Sequence, residues 1–158
     1  MPKLYLALYK GRKAIRHPRD LWLRLSDGLV RLLTRSPYSH CEIAVERSDG
    51  LFDCYGSSPR DGGVRMKTMP LPSEMWDLIA LPTVDVCYVA AVFGQTRGRG
   101  YDWGGLIGVP LGRGAIAFND TDKWFCSEWC AFVLDYAEPW RISPNTLAKL
   151  HASTGAQP

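Results

Sequence analysis

A polar, turn-prone lead at Asn119, Asp120, Thr121 and Asp122 runs directly into apolar residues at positions 125, 129, 132, 133 and 136, the repeat of one helix face. This stretch constrains the fold more than any other, because a helix with one apolar face needs a layer to lie against. The lead supplies caps, and Cys126 falls in the first turn. There the unpaired amides and the positive end of the helix dipole favour an anion, which lowers a thiol pKa and makes a nucleophile.

The opposing layer is predicted to be a β-sheet. Residues 4–9 read as a strand ended by Lys10, Gly11 and Arg12. Residues 38–46 have the β-branched content of a second strand, Ser48, Asp49 and Gly50 have hairpin-turn chemistry, and residues 51–55 return antiparallel. A tight connection sets His40 opposite Ser57 and Glu42 opposite Tyr55. Further strands are expected at 64–67 and 76–81, a helix at 84–95 ending in Arg97, Gly98, Arg99 and Gly100, and a last helix opening at Ser143 and Pro144 and running through Leu150. Between residues 20 and 34, Leu21, Leu25, Leu29, Leu32 and Leu33 recur at helical spacing. They predict one or two amphipathic helices whose apolar face is core or, with Trp22 and the nearby arginines, a peripheral membrane contact.

At 158 residues the chain suits one domain over 1–151 with a loose tail at 152–158. The formal charge of +3 comes from arginines scattered among carboxylates, with no interleaved aromatic stripe, so no nucleic-acid partner is expected. Five cysteines, at 41, 54, 87, 126 and 130, lack the paired short spacings of a disulfide framework or a zinc ribbon and fit a reduced compartment. The run 1–9 is too short for an export signal, and no stretch approaches the roughly twenty apolar residues of a membrane span. A soluble, cytoplasmic protein is the expectation.

A thiol nucleophile needs a base within hydrogen-bond reach, and the base needs a third group to hold its ring. His17, between an arginine and a proline, and His151, near the terminus, read as solvated surface residues. His40 stands at the entry of an otherwise apolar strand, where a sheet edge can present it. Cys41, its neighbour, points to the opposite sheet face. Cys54 and Cys87 read as packing, and Cys130, one turn deeper than Cys126, as buried and inert. A cluster of Cys126, Cys130 and His40 lacks a fourth ligand, so neither metal nor cofactor is expected.

Tyr38-Ser39-His40-Cys41-Glu42-Ile43-Ala44-Val45, followed far downstream by Trp124-Phe125-Cys126-Ser127-Glu128, resembles the circularly permuted branch of the NlpC-type papain-like hydrolases, in which the histidine strand precedes the cysteine helix. Tyr101-Asp102-Trp103-Gly104-Gly105 resembles that family's tyrosine-containing segment, and Ser143-Pro144-Asn145-Thr146-Leu147 a common carboxy-terminal ending of permuted members. The similarity covers residues 34–150. It implies that Cys126 is the nucleophile, His40 the general base and later acid, and Tyr101 a hydroxyl that helps the Cys126 amide bind the oxyanion. It also implies a third polar group from the strand after His40, where family members carry Glu, Gln, Asn or His. This sequence departs from that pattern, offering Asp53, Tyr55, Ser57 and Ser58 instead. Hairpin pairing favours Ser57, then Tyr55; Glu42, on the strand face of His40, is an outside candidate at a position more often simply exposed. The 57–63 loop and the 103–114 segment are expected to rim the cleft.

The expected fold is α+β and papain-like, a small antiparallel sheet of about five strands packed on the Cys126 helix with flanking helices. The expected function is a cysteine-dependent hydrolase, a peptidase/amidase or an acyl-ester hydrolase, working through a thioester on a small peptide, amide or lipid-ester substrate. Cell-wall peptides and lipids both stay open, and a bacterial or phage setting fits. The alternatives are a lipid acyltransferase, since permuted members include the lecithin:retinol type, and a non-catalytic binding module that retains the cleft.

Overall fold

The computed structural model describes residues 2–11, 25, 27–28, 31–32, 36–108 and 122–152. His17, Trp22, most of the 20–34 segment predicted to be helical, residues 109–121 with Asn119, Asp120 and Thr121, and the tail beyond 152 lie outside the described residues.

The fold is mixed α+β. Seven strands, β1 (Leu4–Tyr9), β2 (His40–Glu46), β3 (Phe52–Ser58), β4 (Gly63–Met69), β5 (Trp76–Ala80), β6 (Gly100–Tyr101) and β7 (Lys123–Trp124), form one sheet in the order β5-β1-β2-β3-β4-β6-β7. Four helices are described: α1 (Val86–Thr96), α2 (Trp103–Gly108), α3 (Cys126–Val133) and α4 (Pro144–Ala152). Among the described residues no helix is long and apolar enough to cross a membrane.

β1 is almost continuously apolar because it is paired on both sides, by β2 and β5, and covered on both faces. On one face Leu4, Leu6, Leu8, Cys41 and Ile43 pack against Val89 and Val92 of α1, Trp129, Cys130 and Val133 of α3, and Leu147 of α4. On the other, Ala7, Tyr9, Ala44 and Cys54 meet Leu71, Met75 and Trp76. Helices α1, α3 and α4 thus share one side of the sheet. Cys54 is packing, as expected, whereas Cys87 is exposed on α1 and is not part of the core.

The β2–β3 hairpin differs by one residue from the predicted pairing. Ile43, not Glu42, faces Tyr55. The Arg47 amide donates to the Leu51 carbonyl and the Gly50 amide to the Arg47 carbonyl, with Gly50 at φ 79°. The loop therefore contains residues 48–50, a turn followed by a left-handed glycine, instead of the two-residue connection that the predicted pairing requires.

Two short strands extend the sheet beyond the expected five. β6 joins β4 where Gly63, at φ 148°, pairs with Gly100; a Cβ at Gly63 would run into the Arg99 carbonyl oxygen. β7 then pairs with β6 in parallel, Tyr101 beside Trp124. That pairing carries the chain from Trp124 directly into α3 next to Tyr101.

Candidate active site

Cys126 opens α3. Of its predicted caps, Asp122 precedes β7; the N-cap is Phe125, with no side chain to accept an amide. The reverse bond of a capping box is made instead, the Phe125 amide donating to Glu128 Oε2 at 3.2 Å. Strand β7 is pinned at its carbonyl end, where Trp124 O accepts from the Ser57 hydroxyl at 2.6 Å and from the Asp102 amide at 3.1 Å. The nucleophile candidate thus hangs from a fixed strand at the start of a buried helix.

His40 begins β2 on the face away from the helices, and its ring packs edge-on against Trp76. Because it is the first residue of the strand, its imidazole reaches past the sheet end towards the Cys126 sulfur, and each group shifts the ionisation of the other. Its Nε2 lies 2.7 Å from Glu42 Oε1, so Nδ1 is the nitrogen left for the sulfur. The structure thus brings Cys126 and His40 together.

The third group is where the structure corrects the sequence expectation. Ser57 is fully buried and its hydroxyl is spent on Trp124 O; Tyr55 lies on the helix side, its ring against Phe93. Neither holds His40. Glu42 does, and it is 1% exposed, not the solvated residue its position suggested. Alternation along a strand places residues two apart on one face, close enough for a glutamate to reach a histidine ring. Asp53 is turned to Thr68 and Arg47 on the opposite end of the hairpin.

Behind Glu42 stands Arg65, which sequence inspection passed over. Its Nη2 and Nη1 bind the two carboxylate oxygens at 2.6 and 3.0 Å, and its Nε binds Asp61 Oδ2 at 2.9 Å. Burial works against the Glu42 charge, but His40 and Arg65 outweigh it and hold the carboxyl down at about 2. Burial likewise works against a charged His40, yet the Cys126 sulfur and Glu42 lift it to about 10. The Cys126 thiol is pushed well below its usual value by the hydrogen bond from the Cys41 thiol, against burial, and by His40. Cys41 is correspondingly raised, by burial and by holding its proton for Cys126 and Cys130. Both shifts favour a thiolate beside an imidazolium.

Cys41 does point to the sheet face opposite His40, as predicted, but that is the face α3 covers, so its thiol meets Cys126 after all. Cys130 is fully buried. The Tyr101 hydroxyl also reaches the Cys126 sulfur, and its own ionisation is driven far up by burial and by that sulfur. His151 is half-buried, its Nε2 3.1 Å from the Tyr136 hydroxyl, rather than free at the surface. Among the described residues no group of three or more His, Cys, Asp or Glu is arranged to hold a metal ion.

A cleft of about 350 Å³ opens on the His40 side of the sheet. Its floor includes His40, Glu42 and Tyr101; Ser58, Pro59, Arg60 and Asp61 from the β3–β4 turn rim it, as does Leu106 of α2. The opposite wall is Met69, Pro72, Met75 and Trp76. Cys126, 1% exposed, lies behind His40 and Tyr101 rather than on the cleft wall. The charged cleft residues are paired with one another: Arg60 with Asp27 at 3.5 Å, Asp61 with Arg65 and Lys67.

No protein-family model and no curated protein matches the chain.

Proposed function

We propose that the protein is a cysteine-dependent acyl hydrolase of the permuted NlpC-type papain-like kind. One observation carries the reading: a thiol in the first turn of a buried helix has its ionisation eased by an imidazole whose Nε2 is held 2.7 Å from a buried carboxylate. Cys126 thiolate attacks the carbonyl of an amide or ester, with the Cys126 amide and the Tyr101 hydroxyl facing the developing oxyanion. His40 passes its proton to the leaving amine or alkoxide, a thioester remains on Cys126, and His40 then takes a proton from the water that hydrolyses it. The apolar wall of Met69, Pro72, Met75 and Trp76, and cleft charges already paired internally, suit an uncharged, largely apolar acyl part.

Incubation with a thiol-directed acyl probe is expected to label the wild type, and not Cys126→Ala or His40→Ala of unchanged circular dichroism. Equal labelling of wild type and Cys126→Ala rejects the reading. A non-catalytic binding module is the second reading, favoured by the 1% exposure of Cys126. It expects Cys126 to titrate near the free-thiol value of about 8.5.

A further inference from the structure

Glu42, Gly56 and Arg65 form one row across three strands. Gly56 is the ladder partner of Arg65, and its Cα abuts Glu42: a Cβ built there lies 3.4 Å from Glu42 Cγ. Adjacent strands are about 4.8 Å apart, so Arg65 stands two spacings from Glu42 and reaches it only because the intervening residue has no side chain. The guanidinium is fixed at both ends, by the Glu42 carboxylate through both Nη atoms and by Asp61 through Nε. Such a fork sets the plane of the carboxylate as well as its charge. Glu42 Oε1 is the oxygen shared by Arg65 Nη2 and His40 Nε2.

We propose that Arg65 is a positioning residue, which keeps the Glu42 carboxylate charged and aimed at His40 and so determines how readily Cys126 gives up its proton. The proposal rests on Cys126 and His40 being nucleophile and base. A carboxylate this buried is stable only with a cation beside it. His40 supplies one only while it is itself protonated. Arg65 supplies one at every pH, because a guanidinium does not lose its proton in a protein. With Arg65 in place Glu42 remains an anion when His40 is neutral, and the imidazole stays basic enough to draw the proton from Cys126. Without it, Glu42 takes up a proton and the support under His40 is lost.

The other ionisable groups facing this set are Cys41 on its own strand, Cys54 on β3, Asp61 in the β3–β4 turn, Lys67 on β4, Tyr9 on β1, Tyr101 on β6, Asp102 before α2, Cys130 and Glu128 on α3, and Asp27, Arg31 and Arg60 around the cleft. All are common to the variants below, so differences between variants report Arg65 and Glu42.

The test is the pH profile of iodoacetamide reaction at Cys126 in the full chain, with Cys87→Ser throughout to remove the exposed thiol. Arg65→Met and Glu42→Gln are each expected to raise the midpoint of the Cys126 profile by about one pH unit or more, a tenfold loss of thiolate below it, and Arg65→Lys by less. In the Arg65→Met/Glu42→Gln double variant the midpoint is expected to equal that of Glu42→Gln alone, because Arg65 then has no charge to hold. An additive double variant, or an Arg65→Met midpoint at the wild-type position, overturns the proposal. If Arg65→Met does not fold, Arg65→Lys and the double variant, which leaves no unpaired buried carboxylate, decide it by the same comparison. In the wild type, the Glu42 carboxyl ¹³C shift is expected to stay at its ionised value through the ordinary glutamate pKa of about 4.3, and protonation there overturns the proposal without any variant. A wild-type Cys126 that titrates at the free-thiol value overturns the nucleophile assignment itself, whereas a low wild-type midpoint that no Arg65 variant moves overturns only the role of Arg65.

Discussion

Glu128 is the residue where the helix start and the site meet at a cost. It holds the Phe125 amide at the entry of α3, a favourable bond, yet it is 4% exposed. Burial is the main cause that lifts its carboxyl to about 7, the Phe125 amide pulls the other way, and the negative Asp102 and Cys126 add to the rise. The folded protein therefore binds a proton at Glu128 more tightly than the unfolded chain, whose glutamate titrates at about 4.3. Stability from this residue is full below that value, falls as pH rises through it towards 7, and stays low above. Glu128→Gln keeps an oxygen for the Phe125 amide and carries no charge. It is expected to match the wild type in urea unfolding at pH 4 and to exceed it by on the order of 1–3 kcal/mol at pH 8. Equal stability at pH 8 would show that Glu128 is solvated and that the ionised form is not penalised.

At the level of elements, the site is assembled by two strands of two residues each. β6 and β7 bring Tyr101 and Trp124 side by side, and Ser57 ties the carbonyl of Trp124 to β3. Ser57→Ala removes that tie but leaves Trp124 O bonded to the Asp102 amide, so no acceptor is orphaned. The expected loss is about 1 kcal/mol, the net value of one such bond. The Cys126 alkylation profile is expected not to move, whereas a shift like that of Glu42→Gln would make Ser57 an orienting group for His40. Elements of this size are also what the sequence hides. β1, β2, β5 and α3 were legible because each carries several apolar residues at one period, and Cys126 and His40 because each stands at the start of such a run. Lys123–Trp124 has no period to read. The hairpin register turned on Gly50 alone, and with it the choice between Ser57 and Glu42. Glu42 read as an ordinary exposed charge and Arg65 drew no reading; only the gap at Gly56, one residue from the predicted partner of His40, joins them, and that gap becomes visible once the three strands are aligned.

On the scale of the whole molecule the sheet separates two tasks. The helix layer on one face holds the fold together, with Leu147 of α4 fully buried among Trp129, Val89 and Leu6. The charged row His40, Glu42, Arg65 and the cleft occupy the other face. Cys126 is the point of contact between the two, since it starts a helix on the first face and meets a histidine from the second. A defect deep in the helix layer should then weaken the fold without altering the charge balance at the site, because the groups that lower the Cys126 thiol, Cys41 and His40, stand on β2. Leu147→Ala removes a fully buried side chain and is expected to cost about 2–5 kcal/mol in urea unfolding. In the absence of denaturant the Cys126 alkylation midpoint of the same variant should coincide with that of the wild type. A midpoint displaced towards the free-thiol value would mean that the helix layer and the site respond as one unit, and that the thiolate depends on the packing of α4 as much as on His40.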